Sequence, residues 1–194
     1  MRYTILIGGC IALAACRIEK VRSGDTTHGG VEPGPGLASC GISPESRVSE
    51  DGLGLLRIGV SMDVIRAGCT ILSEQAADSA VGLADIDLGR DTARVEITKG
   101  AIRHITLTHQ AYRTSDSLGV GTHIATLLKM REPTAIIDHN KLYAISPAYC
   151  GLRFMLADPA PTSAASRTGH RALLRLPGET RTRELEIVGC NRRR

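Results

Sequence analysis

The chain has 194 residues, 24 of them Lys or Arg and 20 Asp or Glu, for a formal net charge of +4. That length fits one ordinary domain or two very small ones. Aromatic residues make up 3%, with no Trp and a single Phe at position 154; the core must be aliphatic, and stacking on single-stranded nucleic acid is disfavoured. Arg outnumbers Lys 20 to 4, which points to a GC-rich genome more than to a binding role.

The chain opens "MRYTILIGGCIALAAC". Tyr3 to Ala15 carry no charge, but the run is too short for the ~20 residues of a spanning helix. A basic start, a short apolar stretch and small residues before a cut site predict a signal peptide over 1–15. Leu13-Ala14-Ala15-Cys16 resembles a bacterial lipobox, in which small side chains admit the peptidase and the Cys16 thiol accepts the lipid. Arg17 stands where an Asp would imply retention at the inner membrane, so the resemblance implies the outer membrane. Several acyl chains on Cys16 would anchor the protein firmly. Residues 16–39, rich in Gly, Pro and polar residues, read as a lipidated N-terminus and flexible tether. Roughly 20 such residues have an average reach of about 25 Å.

Cys10 leaves with the signal peptide and Cys16 carries the lipid. Cys40, Cys69, Cys150 and Cys190 remain, an even number in an oxidising compartment. No C-x-x-C spacing occurs among them, which favours two disulfides over a zinc site; three connectivities are open. We expect Cys40–Cys69, tying the tether's end to the end of a helix, and Cys150–Cys190, joining neighbouring strands. Each closes a loop of roughly 30 to 40 residues, worth about 3.5 to 4 kcal/mol in the chain-entropy model.

Residues 40–190 read as one globular domain. "LRIGVSMDVIR" at 56–66 matches "LGVGTHIATLL" at 118–128 with an offset of 62 residues, Gly59 falling on Gly121. Each segment runs apolar, glycine, polar cap, then apolar residues at helical spacing. Ser61 and Thr122 are expected to cap the helices with their hydroxyls. Gly68 helps to end the first helix and Pro133 bars extension of the second. Strand patterns follow: "LADIDLG", "ARVEITK" and "AIRHITLT" after the first helix, then "TAIID", "KLYAIS", "GLRFML", "ALLRLP" and "ELEIVGC" after the second. Lys99-Gly100, His139-Asn140 and Pro177-Gly178 mark turns. Residues 158–169 read as a surface loop and 191–194 as a basic tail.

The expected fold class is α+β: two helix-plus-antiparallel-meander repeats, over about 52–110 and 114–190, forming a sheet with short helices on one face. A tandem G-x-(S/T) turn opening a short helix, followed by antiparallel strands, resembles the repeat of the BamE and beta-lactamase-inhibitor-like fold group. The resemblance covers roughly 52–190. It implies that binding of other proteins is the role, and it carries over no functional residue.

Chemistry-bearing residues are sparse. Asp85, Asp87 and Asp91 are the metal candidates, since carboxylates at alternate strand positions point to one side as a hard cation requires. They miss the calcium-loop pattern, and a solvated strand face explains them. The six histidines form no H-E-x-x-H and no i, i+4 pair, so each reads as a surface or turn residue. Ser61 lacks the second glycine of a nucleophile elbow. Between 167 and 194, eight arginines face only Glu179, Glu184 and Glu186, and Arg192, Arg193 and Arg194 end the chain; an anionic partner would suit them.

The expectation is therefore a lipid-anchored envelope protein that binds another envelope protein without catalysis, with no cofactor and no nucleic acid partner. One alternative is an inhibitor of a periplasmic or extracellular enzyme, presenting the 158–169 loop. The other is an enzyme whose site one sequence does not reveal.

Overall fold

Alternation of apolar and polar residues sets most of the strands. The computed structural model describes residues 39–43, 45–75, 81–89, 91–157, 160 and 168–190. Positions 1–38, including Cys16, and the tail at 191–194 lie outside them, as does most of the 158–169 loop. In chain order come the hairpin strands β1 (Gly52–Leu53) and β2 (Leu56–Arg57), then helix α1 (Met62–Gly68). Strands β3 (Thr70–Gln75), β4 (Val81–Asp87), β5 (Thr92–Thr98) and β6 (Ala101–Leu107) follow. Helix α2 (Ile124–Leu127) precedes β7 (Thr134–Asp138), β8 (Lys141–Ile145) and β9 (Leu152–Ala157). Helix α3 (His170–Leu173) and strand β10 (Glu184–Ile187) complete the fold.

Strands β3 to β10 form one antiparallel sheet of order β3-β4-β5-β6-β10-β9-β8-β7. Its centre is the β6–β10 pair, where Leu107 faces Leu185, Thr106 faces Glu186 and Ile105 faces Ile187. Two-residue hairpins close β5–β6 and β7–β8. Lys99 and Gly100 have φ of 53° and 75°, and His139 and Asn140 have 46° and 62°, the left-handed pair that matches strand twist.

One face of the sheet is apolar. Val95, Ile105, Leu107, Leu185, Ile187 and Phe154 share a core with Leu53, Leu56, Met62, Ile65, Ile124, Leu127 and Leu173. Among the described residues, the short helices α1, α2 and α3 and the β1–β2 hairpin therefore cover that face. The fold is α+β with a mostly antiparallel sheet and few short helices. Disulfides Cys40–Cys69 and Cys150–Cys190 close its margins, with Cα separations of 4.4 and 5.0 Å. This is the pairing expected from the sequence.

Local expectations fail in three places. The Ser61 hydroxyl makes no cap bond, and the residue capping α2 is His123 rather than Thr122. Neighbouring backbone does the work instead: Met62 N–H donates to Gly100 O, and Ile124 N–H to Thr180 O, both at 2.9 Å. That satisfies donors a helix start leaves free. Thr122 Oγ1 accepts from Gly119 N–H at 2.9 Å. "ALLRLP" is not a strand; its start lies in α3, which buries Ala172 and Leu173 and leaves Leu174 exposed. Strand β3 was not expected, because "TILSEQ" has almost no buried side chain.

Candidate functional site

The second face of the sheet carries the polar half of each alternation. A groove of about 490 Å³ runs across it. The acids Asp85, Asp91, Glu96, Glu184 and Glu186 line it, against Arg94, His104 and Lys141. Acids outnumber bases, so the groove is negative overall and favours cationic groups.

Its centre is a paired histidine. Glu96 on β5 lies directly across from His104 on β6, with 3.4 Å between Oε1 and Nδ1. Nε2 of His104 lies 3.2 Å from Glu186 Oε2, an ion-pair contact outside hydrogen-bond geometry, and neither buried atom has a hydrogen-bond partner among the described residues. Glu186 sits diagonally from His104 across the central strand pair. The Tyr143 hydroxyl reaches over β9 from β8 and donates to Glu186 Oε1 at 2.8 Å. The side chain of Glu186 is only 4% exposed, that of His104 20%. A buried carboxylate persists only with such partners.

Burial works against the charge on both partners. For His104 the close contact with Glu186, with the charges of Glu186 and Glu96, outweighs burial and holds its pKa above the ordinary 6.5. For Glu186 the ion-pair contact with His104 and the hydrogen bond from Tyr143 outweigh burial and hold its pKa below the ordinary 4.5. The pair is a stable imidazolium–carboxylate at moderately acid pH. Burial and the bond to Glu186 push the Tyr143 phenol well above its usual range. Around this centre, Lys141 pairs with Glu184 at 3.3 Å and Arg153 with Asp138 at 2.6 Å. The Arg153 guanidinium also lies 5.9 Å from the centre of the Tyr143 ring.

The three aspartates suggested for a metal are engaged separately. Asp85 accepts from Ser73 at 2.9 Å and Arg94 at 3.1 Å. Asp87 accepts from the Gly89 N–H at 2.7 Å and Asp91 from the Thr108 hydroxyl at 3.1 Å. Among the described residues the one compact group of metal-type ligands is Glu50 with Cys150 and Cys190. Those two sulfurs are bonded to each other, so they offer no thiolate. Arg192, Arg193 and Arg194, expected to meet an anionic partner, lie outside the described residues.

Sequence reasoning missed His104 and Glu186. The alternation of "AIRHITLT" and "ELEIVGC" puts both on the outward face, but nothing local announces that β10 inserts beside β6.

No family model and no curated protein sequence matches the chain. In fold it is similar to a solved structure. That structure is the crystal structure of the uncharacterized protein yfeY from Escherichia coli, with a TM-score of 0.53 and 11% sequence identity. The match covers 73% of this chain and 99% of the E. coli protein. At that identity the likeness concerns architecture alone. No helix among the described residues is long and apolar enough to cross a membrane.

Proposed function

We propose that this chain is a lipid-anchored envelope protein, held at the outer membrane through Cys16, whose domain binds another envelope protein without turning it over. The observation that carries the reading is the open sheet face. An antiparallel sheet is able to leave one face uncovered by helices, and here that face holds an acidic groove whose histidine is already paired on both sides. A partner presenting basic side chains would complement it.

The finer architecture belongs to the same proposal: two helix-plus-meander halves, as in the beta-lactamase-inhibitor-like group. Three matches support it. Gly59 and Gly121 have φ of 86° and 82°. The helix-capping residues Ser61 and His123 have nearly equal backbone angles, −72°/148° and −69°/147°. Gly59 N–H donates to Ile102 O and Ile102 N–H to Val60 O, while Gly121 and Thr182 repeat the exchange with Thr182 O and Thr122 O. Each half thus bends into its helix at a left-handed glycine and pins that bend to the start of a central strand.

A second reading, an enzyme, has one observation in its favour: His104 between two carboxylates in a groove is an arrangement used for proton transfer. Against it, no hydroxyl or thiol is hydrogen-bonded to His104 among the described residues. The inhibitor reading depends on residues 158–169, most of which lie outside the described residues.

The test is photo-crosslinking in intact cells from position 106, in the groove, with position 66 on α1 as control. A discrete protein adduct from 106 and none from 66 is expected, and Glu96→Lys should remove it. Crosslinking to no protein from 106 would refute the binding reading. Cys16→Ala should release the protein from the membrane fraction or leave it unprocessed.

A further inference from the structure

We infer that a second cavity, where the open end of the β8–β9 pair (Leu142 beside Ala157) meets the segment between α3 and β10, is a binding site for an anionic amphiphile. The ligand class is a single alkyl chain with a carboxylate or phosphate head. The inference is independent of the open-face reading, because none of its residues lies in the acidic groove.

The cavity measures about 450 Å³, within the roughly 300–1,000 Å³ of small-molecule sites. Its base is aliphatic: Leu142 on β8 and Leu156 on β9 lie beneath it, packed into the core, and Ala157 at the end of β9 is partly open to it. Leu176 and Pro177 form the opposite wall. The rim is cationic. Arg181 and Arg183 are exposed on either side of the buried Thr182, and both line the cavity. Neither has an ion-pair partner among the described residues. Glu184, the nearest acid in sequence, is taken by Lys141 at 3.3 Å. Glu179 is the one acid on the rim.

The rim is held in place. Thr182 N–H donates to Thr122 O at 2.9 Å, Arg183 N–H to Met155 O at 2.8 Å and Thr180 N–H to Pro177 O at 2.9 Å. The arginines thus stand on a segment bonded to both α2's approach and β9. An apolar slot with two arginines on an anchored backbone at its mouth matches a chain that buries in the slot and a head that takes charge-assisted bonds from the rim.

The test uses the full chain and dodecanoate, dodecyl phosphate and dodecanol, the two anions below their micellar concentrations and the alcohol below its solubility limit, with binding read by calorimetry. Saturable one-to-one binding of at least one anionic probe is expected; the tighter of the two identifies the head. Dodecanol should bind about tenfold or more weakly, as should the anionic probe to the variant Arg181→Gln/Arg183→Gln. Both substitutions are on exposed residues, and an unchanged unfolding transition confirms that the variant is folded. Leu176→Trp should fill the slot and weaken every probe. Equal binding of dodecanol and dodecanoate, or no saturable binding to the parent chain, would overturn the inference.

Discussion

Each face of the sheet holds side chains that are almost fully buried, by different means. On the covered face Phe154, Ile105 and Leu185 are 0% exposed, packed under the helices, and their energy comes from apolar area and close contact. On the open face Tyr143 and Glu186 are each 3% exposed. There the contacts are polar: a phenol donating a hydrogen bond to a carboxylate, and an imidazole ion-paired with the same carboxylate. The covered face tolerates exchange among residues of similar volume, whereas the open face requires particular groups at particular registers, since a buried charge that loses its partner is costly. A face built that way is specified for something beyond holding the fold together.

The largest effect should come from the covered face. Phe154→Ala removes the single Phe from the centre of the core and should cost about 3–5 kcal/mol in urea unfolding. A loss under 1 kcal/mol would mean that the apolar face does not carry the stability.

Glu186→Gln tests the open face. It leaves His104 without its buried counter-charge and should cost about 2–3 kcal/mol near pH 6. The sign of the pH dependence follows from the two shifts. His104, raised above 6.5, contributes fully below its unfolded pKa, and that contribution is lost as pH rises through the folded value. Glu186, lowered below 4.5, contributes above its unfolded pKa and loses that as pH falls through the folded value. The gap between parent and variant should be widest between about pH 4.5 and 6.5 and narrower at pH 9. A gap that does not vary with pH would remove the ion pair from the account.

Tyr143→Phe keeps the ring and deletes the donor to Glu186. It should cost about 1 kcal/mol by thermal unfolding and make His104 titrate differently by NMR, because Glu186 then relies on His104 alone. No change in either would leave the phenol as filler. The smallest effect belongs to the exposed end of the same face. Replacing Asp85, Asp87 and Asp91 together with Asn should leave folding within about 1 kcal/mol of the parent. Any cellular phenotype should also persist. A folded variant without the phenotype would move the site to this acidic end.

Locally encoded features were legible. "ARVEITK" and "GLRFML" announce β5 and β9 by alternation, as a half-buried strand requires, and "TAIID" announces β7 as a short apolar run before a turn. Lys99-Gly100 and His139-Asn140 announce their hairpins. The disulfide partners followed from which segments end near each other. β3 was invisible because an edge strand with exposed Leu72 has no apolar face to display. "ALLRLP" misled because Ala172, Leu173 and Leu176 suit a helical turn as well as an extended run, and contact with the core chose the turn.

The sequence by itself determined the alternating strands, the bends at Gly59 and Gly121 and the turns, since each depends on side chains a few residues apart; among the three open cysteine connectivities the structure holds Cys40–Cys69 and Cys150–Cys190. The tertiary structure alone decided that β10 lies between β6 and β9. That placement unites His104 with a carboxylate 82 positions later and a phenol from a third strand. Outward-facing polar residues look alike along the chain, and only the order of strands determines which of them meet.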